Sequence, residues 1–101
     1  MIATGYVTND INYGGLYPEI RGITVSPSTQ SFSYGDVISY TCSYGGGGDW
    51  SFKGWFVVDA SNVFRRENRL PIDCNGGAQW TATMNLIMNY NNDVSVIAEL
   101  T

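Results

Sequence analysis

The chain contains no histidine. That removes at once the commonest general base and the commonest imidazole metal ligand, so a Ser-His-Asp or Cys-His arrangement has no centre to be built around. Cysteine is scarce as well, with only Cys42 and Cys74. They show no CxxC spacing and are too few for a disulfide-dense scaffold, which argues against a zinc site and leaves two states, paired after export or free as small buried hydrophobes. The free form is the expectation. Cations are few, five Lys and Arg against nine Asp and Glu, for a net charge of -4. A nucleic-acid partner is excluded on that ground, because a phosphate backbone demands clustered positive charge. No apolar run approaches the roughly 18 residues a membrane-spanning helix needs, the longest being Trp55 to Val58, and no membrane partner is expected. The first residues lack the basic and apolar regions of an export signal, and the opening Met predicts a protein made without one.

What is present is enough for a core. Hydrophobic residues make up 44% of the 101, aromatics 14% and charged residues only 14%, a composition far from that of disordered chains and of a length suited to one domain. The chain divides in two. In residues 1–22, Gly, Asn, Asp and Pro recur every few positions between Tyr6, Tyr13, Leu16, Tyr17 and Ile20, so neither helical nor strand period is sustained. This segment reads as an N-terminal docking arm, with those five residues as anchors on a partner.

Residues 23–101 read as strands separated by turns. Ile23 to Ser26 and Ser31 to Tyr34 are short runs broken by Pro27-Ser28. From Val37 to Ser43, Ile38, Tyr40 and Cys42 alternate with Ser39, Thr41 and Ser43, the period of a half-buried strand. Gly45 to Asp49 is a loop, and Phe52 to Val58 is the most apolar run and a central strand. Asn62 to Arg69 mixes apolar and charged residues as an edge strand or loop does. Gln79 to Met88 places Trp80, Ala82, Met84, Leu86 and Met88 on one face against Thr81, Thr83, Asn85 and Ile87, a strand period that outweighs the helix propensity of Met, Leu and Ala. Val94 to Leu100 alternates again. The expected fold is an all-β domain, a small antiparallel sandwich or partly open barrel of six to seven strands.

Certain motifs carry a family resemblance. Tyr34-Gly35-Asp36-Val37, Thr41-Cys42, Phe52-Lys53-Gly54-Trp55-Phe56 and Asp93-Val94-Ser95-Val96-Ile97-Ala98-Glu99-Leu100 resemble the divergent internalin B-type bacterial repeat, over about 78 residues from Ile23. The chain is also similar to immunoglobulin-like modules, in that Cys42 and Trp55 are spaced like their strand-B cysteine and strand-C tryptophan; Cys74 precedes the last long strands, away from the position of a second immunoglobulin cysteine. Both resemblances imply a β module used for display, adhesion or assembly. Neither implies an activity.

No catalytic, cofactor or metal residue is assigned. The nine carboxylates are scattered singly, Gly45 to Gly48 lacks the Lys-Ser/Thr of a phosphate loop, and the Asn89 to Asp93 turn lacks EF-hand spacing. The aromatics, three Trp, seven Tyr and four Phe, are better suited to an interface. Trp50, beside the glycine loop, is a candidate surface contact. So are Arg65, Arg66 and Arg69, which form either a cationic patch for a carboxylate-bearing partner or an ordinary solvated loop.

The function expected from these readings is a non-enzymatic structural protein of a phage virion, a decoration or accessory component of capsid or tail that docks through its arm onto other subunits. Its place would be the virion. The alternative is an extracellular or cell-surface adhesion module that binds carbohydrate or a host protein, with surface glycans as partners.

Overall fold

The computed structural model describes residues 1–9, 15–45, 50–59, 74–76 and 79–101. They form seven strands: β1 (Ile2–Thr8), β2 (Thr29–Ser31), β3 (Val37–Tyr44), β4 (Phe52–Asp59), β5 (Cys74–Gly76), β6 (Trp80–Ile87) and β7 (Val94–Leu100). One sheet has the order β2-β1-β7-β4 and the other β3-β6-β5, which is a small β sandwich with no closed barrel. Among the described residues there is no helix, and so none long and apolar enough to cross a membrane.

The core lies between the two sheets. Alternation puts Tyr40 and Cys42 of β3, with Trp80, Ala82 and Leu86 of β6, on the inner face of the smaller sheet. Trp55, Val57, Val96, Ala98 and Leu100 meet them from the larger one. Trp55 is fully buried, its ring tilted at 6.5 Å from Tyr40 and edge-on at 5.3 Å to Phe52. The run expected as a central strand, Phe52 to Val58, is β4; it contributes heavily to the core, but among the described residues it lies at the edge of its sheet, paired with β7 alone.

The N-terminal segment departs from the expectation. Residues 2–8 are not an arm outside the domain but a strand inside the larger sheet, paired antiparallel with β2 and parallel with β7. Ala3 and Val7 are buried in the core, so residues 2–8 belong to the same domain as the strands they pair with and the division at residue 22 does not stand. The parallel β1–β7 pair also corrects the expectation of a wholly antiparallel sheet. Such a pair is stable when both faces are covered, and here they are. On the outer face Phe56 and Ile97 are buried with Tyr6, Leu16 and Val58 packed around them.

The inner face of β1 is small because another stretch lies across it. A Cβ at Gly5 would fall 2.8 Å from Val25 Cγ1 and 3.3 Å from the Pro27 carbonyl, and glycine in a strand often marks such an approach. That stretch changes sheets. Ser26 exchanges two backbone hydrogen bonds with Thr41 of β3, each 2.9 Å; after the cis Ser26-Pro27 peptide the chain joins β1 as β2. Ile23 to Ser26 thus contributes bridges to Ile20 and Thr41 rather than the expected strand. The predicted Ser31 to Tyr34 strand is seen as Thr29–Ser31.

Candidate functional site

The surface features most open to a binding role sit on one strand pair. β3 and β6 run antiparallel through an unbroken register from Val37 opposite Ile87 to Tyr44 opposite Trp80. With the even-numbered residues of both strands turned toward the core, the odd-numbered ones form cross-strand rows on the outer face: Val37 with Ile87, Ser39 with Asn85, Thr41 with Thr83 and Ser43 with Thr81. The two ends of this ladder differ in chemistry.

One end is apolar and exposed. Val37 and Ile87, side by side, are 62% and 55% accessible, and Tyr34 is 61%. The turn that carries Tyr34 is fixed by backbone bonds from Asp36 N–H to the Ser33 carbonyl (3.0 Å), Gly35 N–H to the Met88 carbonyl (3.0 Å) and Met88 N–H to the Asp36 carbonyl (2.7 Å). The Asp36 carboxylate accepts from Ser33 N–H at 2.8 Å, so it serves the turn. Met1 and Ile2, also partly exposed, join this end: the Met1 ammonium donates to the Phe32 carbonyl at 3.2 Å and Ile2 N–H to Asp93 Oδ1 at 2.8 Å. These residues share the end of the sandwich where β3 and β7 begin and β6 ends, with Val37 and Ile87 on the outer face of the smaller sheet and Ile2 on that of the larger.

The opposite end holds an open cleft of about 300 Å³, lined by Ser43, Tyr44, Gly45, Gln79, Trp80 and Thr81. Trp80 lines it but is buried, its ring turned into the core against Phe52 and its indole N–H donating to the Trp50 carbonyl at 2.8 Å. Tyr44 stacks obliquely on it at 6.2 Å, and Gln79 Nε2 donates to the Gly45 carbonyl at 3.3 Å. A second depression, about 550 Å³, is lined by Pro18, Glu19, Thr24, Val25, Ser26 and Ser28 beside the sheet-switching stretch.

The sequence candidates are redistributed by this geometry. Trp50 does not stand exposed; it is half-buried against the core and offers its carbonyl to Trp80. Of the proposed arm anchors, Tyr6 and Leu16 pack on Phe56 and Ile97 and Ile20 packs on the main core, which spends them inside the domain. Tyr17 remains 47% exposed while its backbone pairs with Val7 at 2.7 and 2.8 Å. Tyr13, Arg65, Arg66 and Arg69 lie outside the described residues. The exposed pair Val37 and Ile87 was not among the candidates, yet the alternation already contained it, since both fall in phase with the Ser, Thr and Asn face.

Burial also separates structural from reactive polar groups. Burial pushes the Tyr40 phenol above its ordinary range, and neither the Tyr40 hydroxyl nor the Trp55 indole nitrogen has a hydrogen-bond partner among the described residues. Glu99 is buried on the outer face of the larger sheet, in one row with Thr8 and Gly54. Among the described residues no three His, Cys, Asp or Glu side chains come together as a metal site. Compared with protein-family models, curated proteins and solved structures, the chain matches none.

Proposed function

We propose that the chain is a non-enzymatic structural protein of a virion, a small β sandwich that takes its place among other protein subunits through the apolar end of the β3–β6 pair. The observation that carries this reading is the exposure of Tyr34, Val37 and Ile87 together, on strands whose other outward residues are polar. Scattered exposed apolar residues are ordinary, but a cluster held by a hydrogen-bonded turn is the kind of surface that protein contacts cover. Docking then uses a rigid face of the domain in place of a separate arm, which lowers the ordering cost of association.

The test is to purify particles from the source culture and ask whether the chain copurifies at fixed stoichiometry, then to repeat it with a Val37→Lys, Ile87→Lys variant. Both positions are solvent-facing, so the variant is expected to fold and to stay in the soluble fraction. A chain absent from particles, or a folded variant that remains in them, overturns the reading.

A further inference from the structure

The tight turn between Ile20 and Ile23 carries the one described residue other than glycine with a positive φ. Arg21 stands at φ 52° and Gly22 at φ 80°, and Ile20 and Ile23 close on each other through backbone N–H to carbonyl bonds of 3.1 and 2.8 Å. Positive φ at both central residues is the mark of a type I′ turn. Its first central position favours Asn, Asp or Gly, because the Cβ of an L-residue in the left-handed region crowds the following carbonyl and only a short polar side chain offsets this. Gly22 obeys the rule. Arg21 breaks it, although Asn-Gly would close the same turn with less strain.

Nothing inside the domain accounts for the arginine. Its side chain is exposed, and among the described residues no carboxylate, carbonyl or ring holds the guanidinium. The turn is nevertheless firmly based, since Ile23 is fully buried and Ile20 packs on the main core. A Cβ at Gly22 would meet nothing within 4 Å, so the tip stands in open space. Its two arms line the depression of about 550 Å³ through Glu19 and Thr24. The tip also lies away from the apolar end: Tyr17 pairs with Val7, at the far end of β1 from Ile2, and the chain before Ser26 runs antiparallel to β3, toward Tyr44.

Backbone strain that the fold does not require points to a role outside the fold. We infer that Arg21 is a contact residue, its guanidinium held at the tip of this turn to bind a carboxylate on a neighbouring protein subunit. A guanidinium pairs through two parallel hydrogen bonds with carboxylate or phosphate, and a chain of net charge -4 is repelled by a phosphate polymer. An acidic protein surface is what remains. Arginine is also one of the residue types that dominate interface energies, and a pre-positioned one loses less freedom on binding. The inference rests on the docking reading and deepens it, adding a charged contact at the opposite end from the apolar one.

The experiment takes Arg21→Asn, Arg21→Lys and Arg21→Glu, and measures thermal melting of each chain and its occupancy on purified particles in competition with the labelled parent. Arg21→Asn is expected to melt about 2 to 5 °C higher, because Asn tolerates the left-handed region, and to bind particles about tenfold more weakly. Arg21→Lys, which keeps the charge but not the fork, is expected to melt like the parent and to bind between the two. Arg21→Glu is expected to bind least. Added salt should weaken the parent more than Arg21→Asn, as screening of an exposed ion pair requires. A parent chain absent from particles overturns the docking reading and this inference with it. A parent chain present there, with Arg21→Asn and Arg21→Glu bound as tightly, overturns this inference alone. So does an Arg21→Asn chain that melts no higher than the parent, or parent binding that nuclease treatment abolishes, which would assign the guanidinium to phosphate.

Discussion

Cys42 and Cys74 face the same residue from opposite sides: both are Cα partners of Ala82, one from β3 and one from β5. Two strand spacings separate them, about 10 Å at roughly 4.8 Å each. A disulfide needs Cα atoms within about 7 Å, so this register forbids the bond, and Cys42 is buried. Alkylation under denaturing, non-reducing conditions should label both cysteines, and reductant should leave the melting temperature unchanged. An intact mass lower by two hydrogens would show the register to be wrong.

Trp55 fills the space between the sheets with no exposed surface. Trp55→Ala should cost about 3 to 5 kcal/mol through lost transfer energy and the cavity left behind, read by chemical denaturation. Trp55→Phe should cost clearly less, because it keeps an aromatic ring beside Tyr40 and Phe52 and removes an indole nitrogen that has no partner among the described residues.

Tyr40→Phe is expected to be neutral or stabilising. A hydrogen-bonded tyrosine loses about 1 kcal/mol on this change, but the Tyr40 hydroxyl is buried and has no partner among the described residues. The same group sets a pH dependence. Its folded pKa is raised by burial above the ordinary 10.0, so the stability it confers is fully present below pH 10 and lost as pH rises from there through the folded value. Tyr90, raised by burial and then by Asp59, acts in the same direction. Denaturation midpoints across the alkaline range should fall less steeply for Tyr40→Phe than for the parent chain; equal slopes would assign the effect elsewhere.

Gly5→Ala should destabilise by about 1 to 3 kcal/mol, since the added methyl overlaps Val25 and approaches the Pro27 backbone. Pairing it with Val25→Ala should recover part of the loss. Strict additivity of the two changes in thermal melts would mean that the crossing stretch does not rest on β1 as described.

Removing residues 1–22 should leave a chain that cannot fold. β1 separates β2 from β7 in the sheet, and its loss uncovers both its neighbours and the apolar core beneath Ala3 and Val7. Circular dichroism and amide dispersion of the truncated chain decide this, and a cooperatively folding fragment from Ile23 would restore the idea of a separable arm.

The strands that could be read from sequence were those whose side chains report burial directly. β3 and β6 alternate large apolar with Ser and Thr, β4 is continuously apolar, and β7 alternates Val and Ala with polar positions. β1 escaped because its inner positions are Ala3, Gly5 and Val7, small where a strand normally shows bulk. Their size answers to Val25 lying across them, a contact made by residues about twenty positions away that no local period records. The parallel partner is more distant still, with Ala3 opposite Val94. At the candidate site, the outward phase of Val37 and Ile87 was legible; that Tyr34 would join them depended on a turn closed by Met88 from the far end of β6.

The β1–β7 pairing has a mechanical consequence. The strands run in the same direction, Ala3 beside Val94 and Thr8 beside Glu99, so the two chain ends leave from opposite ends of the sheet. Tension applied between Met1 and Thr101 would drag these neighbours past each other along their own axes. The ladder is then loaded in shear, every rung at once, instead of being peeled open from one terminus. A domain strung in this way resists extension until the whole ladder slips, a property suited to a subunit that must stay folded while the object carrying it is pulled.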